Sequence, residues 1–145
     1  MFFGKSGLAS IEVESTNYGN ALYRSRISGI DYNIENDSIS SRYKSVVNFR
    51  MGGEFRLKML RFRAGLGYLS NPYQSKPDNI SRAVTNVSLG VGIRKQKFYA
   101  DAALTYNTGK SSYHPYTLPS DYSPTPIVKQ TNNGAGLMFT VGFNF

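Results

Sequence analysis

Hydrophobic and polar residues alternate along six segments of this chain with a period of two residues. Segment 131–145 shows this clearly, because Leu137, Phe139, Val141 and Phe143 alternate mostly with glycine and polar residues. A period of two is typical of β-strands, in which successive side chains point to opposite faces of a sheet. The pattern predicts six strands, at residues 8–18, 43–57, 60–70, 82–94, 97–108 and 131–145.

One face of every predicted strand carries no charge. In the strand at 60–70, Phe62, Ala64 and Leu66 lie on that face, and Arg61 and Arg63 lie on the other. A charged side chain that faces lipid near the middle of a bilayer costs about 2–4 kcal/mol, so contact with lipid would enforce such an exclusion. The charged residues of the opposite faces are Glu12, Glu14, Lys44, Arg50, Glu54, Arg56, Arg61, Arg63, Arg82, Arg94 and Asp101.

Soluble β-sandwiches and lipocalin-like barrels also alternate, and two features favour a transmembrane barrel over them. The connections alternate in length: those at 57–60 and 94–97 are tight, whereas those at 19–42, 71–81 and 109–130 are long. Outer-membrane barrels have short periplasmic turns and long outer loops. The aromatic residues of the uncharged face also separate into two belts, as at the two interfaces of a membrane. Phe55, Phe62, Phe98, Phe143 and Phe145 lie toward the short turns, and Tyr43, Tyr68 and Tyr106 lie toward the long loops.

The composition excludes several other classes of protein. The chain has 145 residues, no cysteine and a net charge of +8. Without cysteine there is no disulfide scaffold and no cysteine-based zinc site. A basic charge suggests nucleic acid, but these arginines are spread along strands, and there is no basic helix or aromatic RNA-binding motif, so nucleic acid is not an expected partner.

The sequence offers no enzyme chemistry. His114 is the only histidine and lies in a Tyr- and Pro-rich loop, without the partners that catalysis requires. No glycine-rich segment is followed by a predicted helix, so no phosphate-cradling loop is expected. We therefore predict no catalytic residue, no metal and no cofactor.

The charged faces supply the candidate lumen-facing residues of a barrel: Arg50, Arg61, Arg63, Glu54 and Asp101. Two interpretations remain open at this point. Arginines could pair with the acidic residues in a ladder that fills and stiffens the interior, as polar residues of barrels commonly do. Alternatively, the basic excess could make an electropositive lumen that favours carboxylate-bearing solutes.

Six strands are too few for a stable lipid-spanning barrel, since single-chain barrels begin at about eight strands. An open sheet would leave unpaired backbone groups in hydrocarbon, at several kcal/mol each. We therefore expect residues 1–145 to be the C-terminal portion of one larger outer-membrane β-barrel domain, with completion of one barrel by several chains as the alternative. A short helix is expected within 34–43, before the second strand.

Several strand and turn segments of the chain are similar to those of a known family: 3–8, 42–45, 48–56, 63–68 with 71–73, 98–103 and 140–145. Through them the chain resembles the C-terminal half of FadL-type outer-membrane transporters, the channels for long-chain fatty acids and other hydrophobic compounds, in the version found in Bacteroidetes-type bacteria. The resemblance implies an antiparallel, porin-like barrel of about 14 strands that moves hydrophobic or amphipathic small molecules. The hatch and kinked strand of that family have no counterpart here, so transport is implied by resemblance alone.

The last strand also resembles the C-terminal signal that the barrel-insertion machinery reads in bacterial outer-membrane proteins, at Phe139, Val141, Phe143 and Phe145. The implied location is the bacterial outer membrane, with the C-terminus in the periplasm and the long loops outside the cell. Outer-membrane lipid and the insertion machinery are the expected partners, with a hydrophobic solute or another outer-membrane protein in addition. The alternative function is a structural or partner-binding barrel that docks another membrane complex through its long loops.

Overall fold

The structure is a computed structural model that describes residues 6–74, 79–116 and 125–143. These residues contain one antiparallel sheet of six strands. Each strand pairs with the next one along the chain, so the sheet is an up-and-down meander. The predicted all-β class and the six strands are confirmed. The strands are β1 (Gly7–Asn17), β2 (Ser45–Leu57), β3 (Leu60–Leu69), β4 (Val84–Arg94), β5 (Phe98–Tyr113) and β6 (Val128–Phe143).

The last two strands are longer at the loop end than the predicted 97–108 and 131–145. Their pairing continues beyond the apolar positions as far as Tyr113 and Val128. Asn132 Nδ2 donates to Ser111 Oγ at 2.9 Å in this extension. Because residues 109–112 and 129–132 are polar or glycine on both faces, hydrophobic alternation carries no signal there. Phe145 and part of the Tyr- and Pro-rich loop lie outside the described residues.

Two strands begin later than the sequence predicts. β2 begins at Ser45 rather than at residue 43, because Tyr43 instead forms an isolated bridge with Tyr73. β4 begins at Val84 rather than at residue 82. Both differences lie at the loop end, where the connection between β3 and β4 hydrogen-bonds to the chain beside β2, including Lys44 N to Pro72 O at 2.9 Å.

The predicted alternation of short and long connections is present. β2 and β3 are joined by Lys58 and Met59, with Lys58 in the left-handed region at φ 52°. The second short turn, at residues 95–97, joins β4 to β5. Arg94 N donates to Met59 O at 2.8 Å, so the two short turns lie side by side.

The predicted helix before β2 is present as α1 (Asn33–Arg42) and begins slightly earlier than the prediction. One side chain of α1 fastens the preceding connection. Asn36 Oδ1 accepts from Tyr23 N at 2.8 Å, and its Nδ2 donates to Tyr23 O at 3.1 Å. Tyr23 also contacts Tyr32, with ring centroids 5.8 Å apart.

We expect Asn36→Ala to release this connection. Two hydrogen bonds worth about 1 kcal/mol each would be lost, so local opening would be about 30-fold more frequent. Trypsin cleavage at Arg24 and Arg26 of the folded protein should accelerate by that factor, measured by mass spectrometry over time. Asn33→Ala, on the same helix, is the control. Equal cleavage rates for the two variants would show that Asn36 does not hold the connection.

The strand register places all the uncharged faces on the same side of the sheet. Gly53 pairs with Ala9 and Ala64, and Leu104 pairs with Leu89 and Leu137. Ala64 pairs with Leu89, which completes one row across all six strands. The predicted alternation therefore builds one continuous apolar face, and the opposite face carries the charged residues of β1 to β5, here called the charged face.

The apolar face is covered by no other described part of the chain. Of the described apolar residues, only Val46 and Ile80 are buried. At the centre of the apolar face, Leu89 remains 55% exposed and Leu137 remains 66% exposed. Burial of such side chains is the main source of stability in a water-soluble fold. The described residues therefore contain an amphipathic sheet without the core that a soluble β-protein would have.

Candidate functional site

The charged face carries a continuous chain of ion pairs, which forms the candidate site. Glu54 Oε1 accepts from Arg56 Nε at 2.6 Å, and Glu54 Oε2 accepts from Arg63 Nε at 2.7 Å. Arg63 Nη1 also donates to Asp101 Oδ1 at 2.7 Å, and Arg94 Nη2 lies 2.7 Å from Asp101 Oδ2. We call these five residues the arginine–carboxylate network. It joins β2, β3, β4 and β5.

A glycine of β4 allows the network to cross that strand. Arg63 lies on β3 and Asp101 on β5, and their register partners on β4 are Gly90 and Gly92. Gly92 is buried, and a methyl group added there would collide with the Asp101 carboxylate, whereas one at Gly90 would make only ordinary contacts. The absence of a side chain at Gly92 therefore lets residues from the flanking strands meet above β4.

A second cluster lies nearer the long loops. Arg50 Nη1 lies 2.5 Å from Glu12 Oε1 and 3.0 Å from Glu14 Oε2, which links β2 to β1. All three side chains are more exposed to solvent than Glu54 and Asp101. Surface pairs of this kind contribute little to stability, so the central network is the stronger structural feature.

The five sequence-predicted residues are only partly brought together. Arg63, Glu54 and Asp101 are bonded directly, whereas Arg50 belongs to the second cluster. Arg61 lies beside the network: its Nε is 4.0 Å from Glu54 Oε1, and its Nη1 donates to the carbonyls of Lys58 and Leu60 at 3.0 Å each. On the described strands, therefore, arginines of the charged face pair with its carboxylates.

Sequence reasoning did not select Arg56, Arg94 or Gly92 as site residues. Both arginines alternate correctly with the apolar positions, so their face was predictable. Their participation depends on which carboxylate the register places beside them, and periodicity carries no information on that. Four arginines, at 56, 61, 63 and 94, surround two carboxylates, which leaves this part of the charged face electropositive.

The loop end of the charged face is covered. Val46 and Asn48 lie on this face and are buried, as is Asn71 in the connection between β3 and β4. Asn48 Oδ1 accepts from Ser70 N at 3.0 Å, and Asn71 Oδ1 accepts from Arg82 N at 3.3 Å. This connection therefore packs against the charged face at that end.

A pair of tyrosines extends this cover. The rings of Tyr43 and Tyr73 lie 5.1 Å apart, and Arg82 stacks on Tyr73 with its Cζ 5.0 Å from the ring centroid. A hydrogen bond with Tyr73 raises the pKa of Tyr43 above its usual value.

The apolar face contains a shallow depression of about 890 Å³. Gly53, Ala64 and Ala102 are its small residues, and Phe62 and Leu104 are among the larger residues that border it. Its surface is nearly all hydrocarbon, which suits an acyl chain.

No known protein family, curated protein or solved structure matches this chain. Function is therefore argued from the two faces of the sheet. Among residues 6–74, 79–116 and 125–143, no three His, Cys, Asp or Glu side chains are grouped so that they could hold a metal ion. The helices found in those same residues are all too short or too polar to cross a membrane. His114 follows β5 and is exposed.

Proposed function

We propose that this sheet forms part of the wall of a bacterial outer-membrane β-barrel, with its apolar face toward lipid. The observation that carries the proposal is the continuous apolar face, whose large side chains stay exposed while arginines and carboxylates pair on the opposite face. Two lysines share the apolar face, Lys110 and Lys129, and both lie at its loop end, where β5 and β6 extend beyond the apolar positions. Water would penalise such a surface, whereas hydrocarbon would stabilise it at about 25 cal/mol per Å². Lipid is therefore the partner that this surface fits.

Closure into a barrel is the second part of the proposal. Among the described residues, β1 and β6 each have a strand neighbour on one side only. In hydrocarbon, the unpaired backbone N–H and C=O groups of those two edges would cost several kcal/mol each. The proposal therefore includes further strands that pair with both edges and close the barrel. The strands are also staggered: Gly7 begins β1 and aligns through the register with Phe139, beyond which β6 continues to Phe143. Such stagger accompanies the tilt of barrel strands.

The orientation follows from the two ends of the sheet. Phe55, Phe62 and Phe143 lie near the short turns, and Tyr68 and Tyr106 lie near the long loops, as interfacial belts would. The short turns would then be periplasmic and the long loops extracellular. In this orientation Phe139, Val141 and Phe143, with Phe145, would form the signal for the barrel-insertion machinery.

For the activity, we favour a channel or transporter for hydrophobic or amphipathic small molecules such as fatty acids. The support is the sequence resemblance to FadL-type transporters, together with an electropositive network on the face that would line the lumen. No catalytic step is assigned. The second candidate is a structural or partner-binding barrel, which is favoured by the cover over the loop end of the charged face.

The two candidates predict different results for the full-length protein. We expect its expression to restore growth on oleate in cells that lack an outer-membrane route for long-chain fatty acids. We also expect its mass after gentle extraction from outer membranes to lie well above 16.1 kDa, without a second protein. Protein that is folded at the cell surface but supports no growth, and extracts with a stoichiometric partner, would overturn transport and leave the partner-binding barrel. Recovery from the soluble fraction would overturn the membrane proposal itself.

A further inference from the structure

The two short turns together form a basic depression at one end of the sheet. Lys58 and Met59 of the first turn and Arg94, Lys95, Gln96 and Lys97 of the second line a recess of about 580 Å³. The hydrogen bond from Arg94 N to Met59 O holds the two turns together. We call these six residues the turn recess. None of the described residues that line it is acidic.

Within the described residues, no carboxylate neutralises the three lysines of the turn recess. In the described part of the chain, Lys58, Lys95 and Lys97 form no ion pair. The two carboxylates nearest this end, Glu54 and Asp101, are each already bonded to two arginines. The positive charge of the lysines is therefore free to attract an external anion.

The other end of the sheet lacks this one-sided charge. Arg24, Arg26, Arg42 and Lys44 in the first long connection are interspersed with Asp31, Glu35 and Asp37. The turn recess also borders exposed residues of the apolar face. Leu57 is 51% exposed, Met59 is 48% exposed, and Phe98 follows Lys97 directly. At this end of the sheet, basic side chains therefore lie next to exposed apolar side chains. A phospholipid has a matching arrangement, because its phosphate lies next to its acyl chains.

We propose that the turn recess binds the phosphate of an anionic phospholipid in the membrane leaflet that contacts the short turns. This rests on the proposed membrane barrel and adds a specific lipid partner. Lysine ammonium groups donate charge-assisted hydrogen bonds to phosphate oxygens. Each basic residue near an anionic membrane contributes about 1 kcal/mol, or roughly fivefold in affinity.

The test is lipid binding by the full-length protein, counted by native mass spectrometry. Dioleoylphosphatidylglycerol is titrated against dioleoylphosphatidylcholine in mixed micelles. We expect preferential binding of phosphatidylglycerol, reduced on the order of 100-fold in the triple variant Lys58→Gln, Lys95→Gln, Lys97→Gln. The matched control removes the same charge near the other end, through Lys44→Gln, Lys110→Gln, Lys129→Gln, and should keep the preference.

Each outcome decides one question. Equal losses in the two triple variants would show a net-charge effect and overturn the recess as a site, and so would equal binding of both lipids by the wild type. Competition by soluble glycerol phosphate at the same concentration as the lipid would assign the recess to a free phosphate ester and also overturn the lipid proposal. Failure of the wild-type protein to insert into phosphatidylcholine vesicles would overturn the barrel proposal instead.

Discussion

If the apolar face contacts lipid as proposed, Leu104→Arg should destabilise the folded protein in a bilayer by about 2–4 kcal/mol, while Thr105→Arg should change its stability by less than about 1 kcal/mol. Leu104 lies in the central row of the apolar face and is 48% exposed, and Thr105 is exposed on the opposite face of the same strand. An arginine at 104 would have to enter hydrocarbon, whereas one at 105 would join the charged face. The measurement is urea unfolding of the full-length protein in vesicles, followed by tyrosine fluorescence.

This pair of variants separates a membrane wall from a soluble sheet. In water, an arginine at an exposed leucine position has almost no cost, because both side chains remain solvated. Equal stabilities for the two variants would therefore contradict the assignment of the apolar face to lipid. A larger loss for Thr105→Arg would mean that the charged face is the packed one and that the two faces are assigned in reverse.

Gly92→Ala should destabilise the protein by about 2 kcal/mol through the arginine–carboxylate network. The added methyl group would displace the Asp101 carboxylate, and Arg63 and Arg94 would lose a charge-assisted hydrogen bond each. Gly90→Ala is the matched control on the same face of β4. Its methyl group would meet Ala102 O and Arg63 Cβ at 3.5 Å, which is ordinary contact, so its effect should stay below about 0.5 kcal/mol.

A double-mutant cycle shows whether the effect of Gly92→Ala passes through Asp101. If it does, Gly92→Ala should cost little in a protein that already carries Asp101→Asn, because the ion pairs are then already weakened. Unfolding by urea in vesicles gives all four free energies. Additive losses would mean that the methyl group acts on the backbone of β4 or on Ala100 O, which lies 3.4 Å from its position, rather than on the network.

The local elements were largely predictable because each depends on a short stretch of sequence. The alternation around Phe62 and Leu89 identifies a strand and its apolar side without knowledge of its neighbours. The tight turns at 58–59 and 95–97 follow from the gap between two alternating segments, and α1 was expected before β2. The prediction was wrong about several strand ends, as at Tyr113, where paired residues are polar on both faces and tertiary pairing alone extends the strand.

For the candidate site, the sequence predicted which side chains share one face of the sheet but not which of them contact one another. Arg63 and Asp101 are 38 positions apart in sequence and lie on strands that are not neighbours in the sheet. Their contact requires the register of three strands and the lack of a side chain at Gly92, and a one-residue slip in β4 would remove it. The burial of Val46 and Asn48 on the charged face was likewise unpredictable, because it depends on where a long connection packs.

The sequence by itself determined that this chain forms six amphipathic strands with one uncharged face each, since side-chain direction in a strand depends only on the parity of the position. Only the tertiary structure decided that the six faces join into one exposed apolar surface, that Glu54 and Asp101 share four arginine contacts, and that the lysines of the two short turns meet without a carboxylate. These features depend on register and on the packing of connections, which long-range hydrogen bonds set and local patterns do not encode.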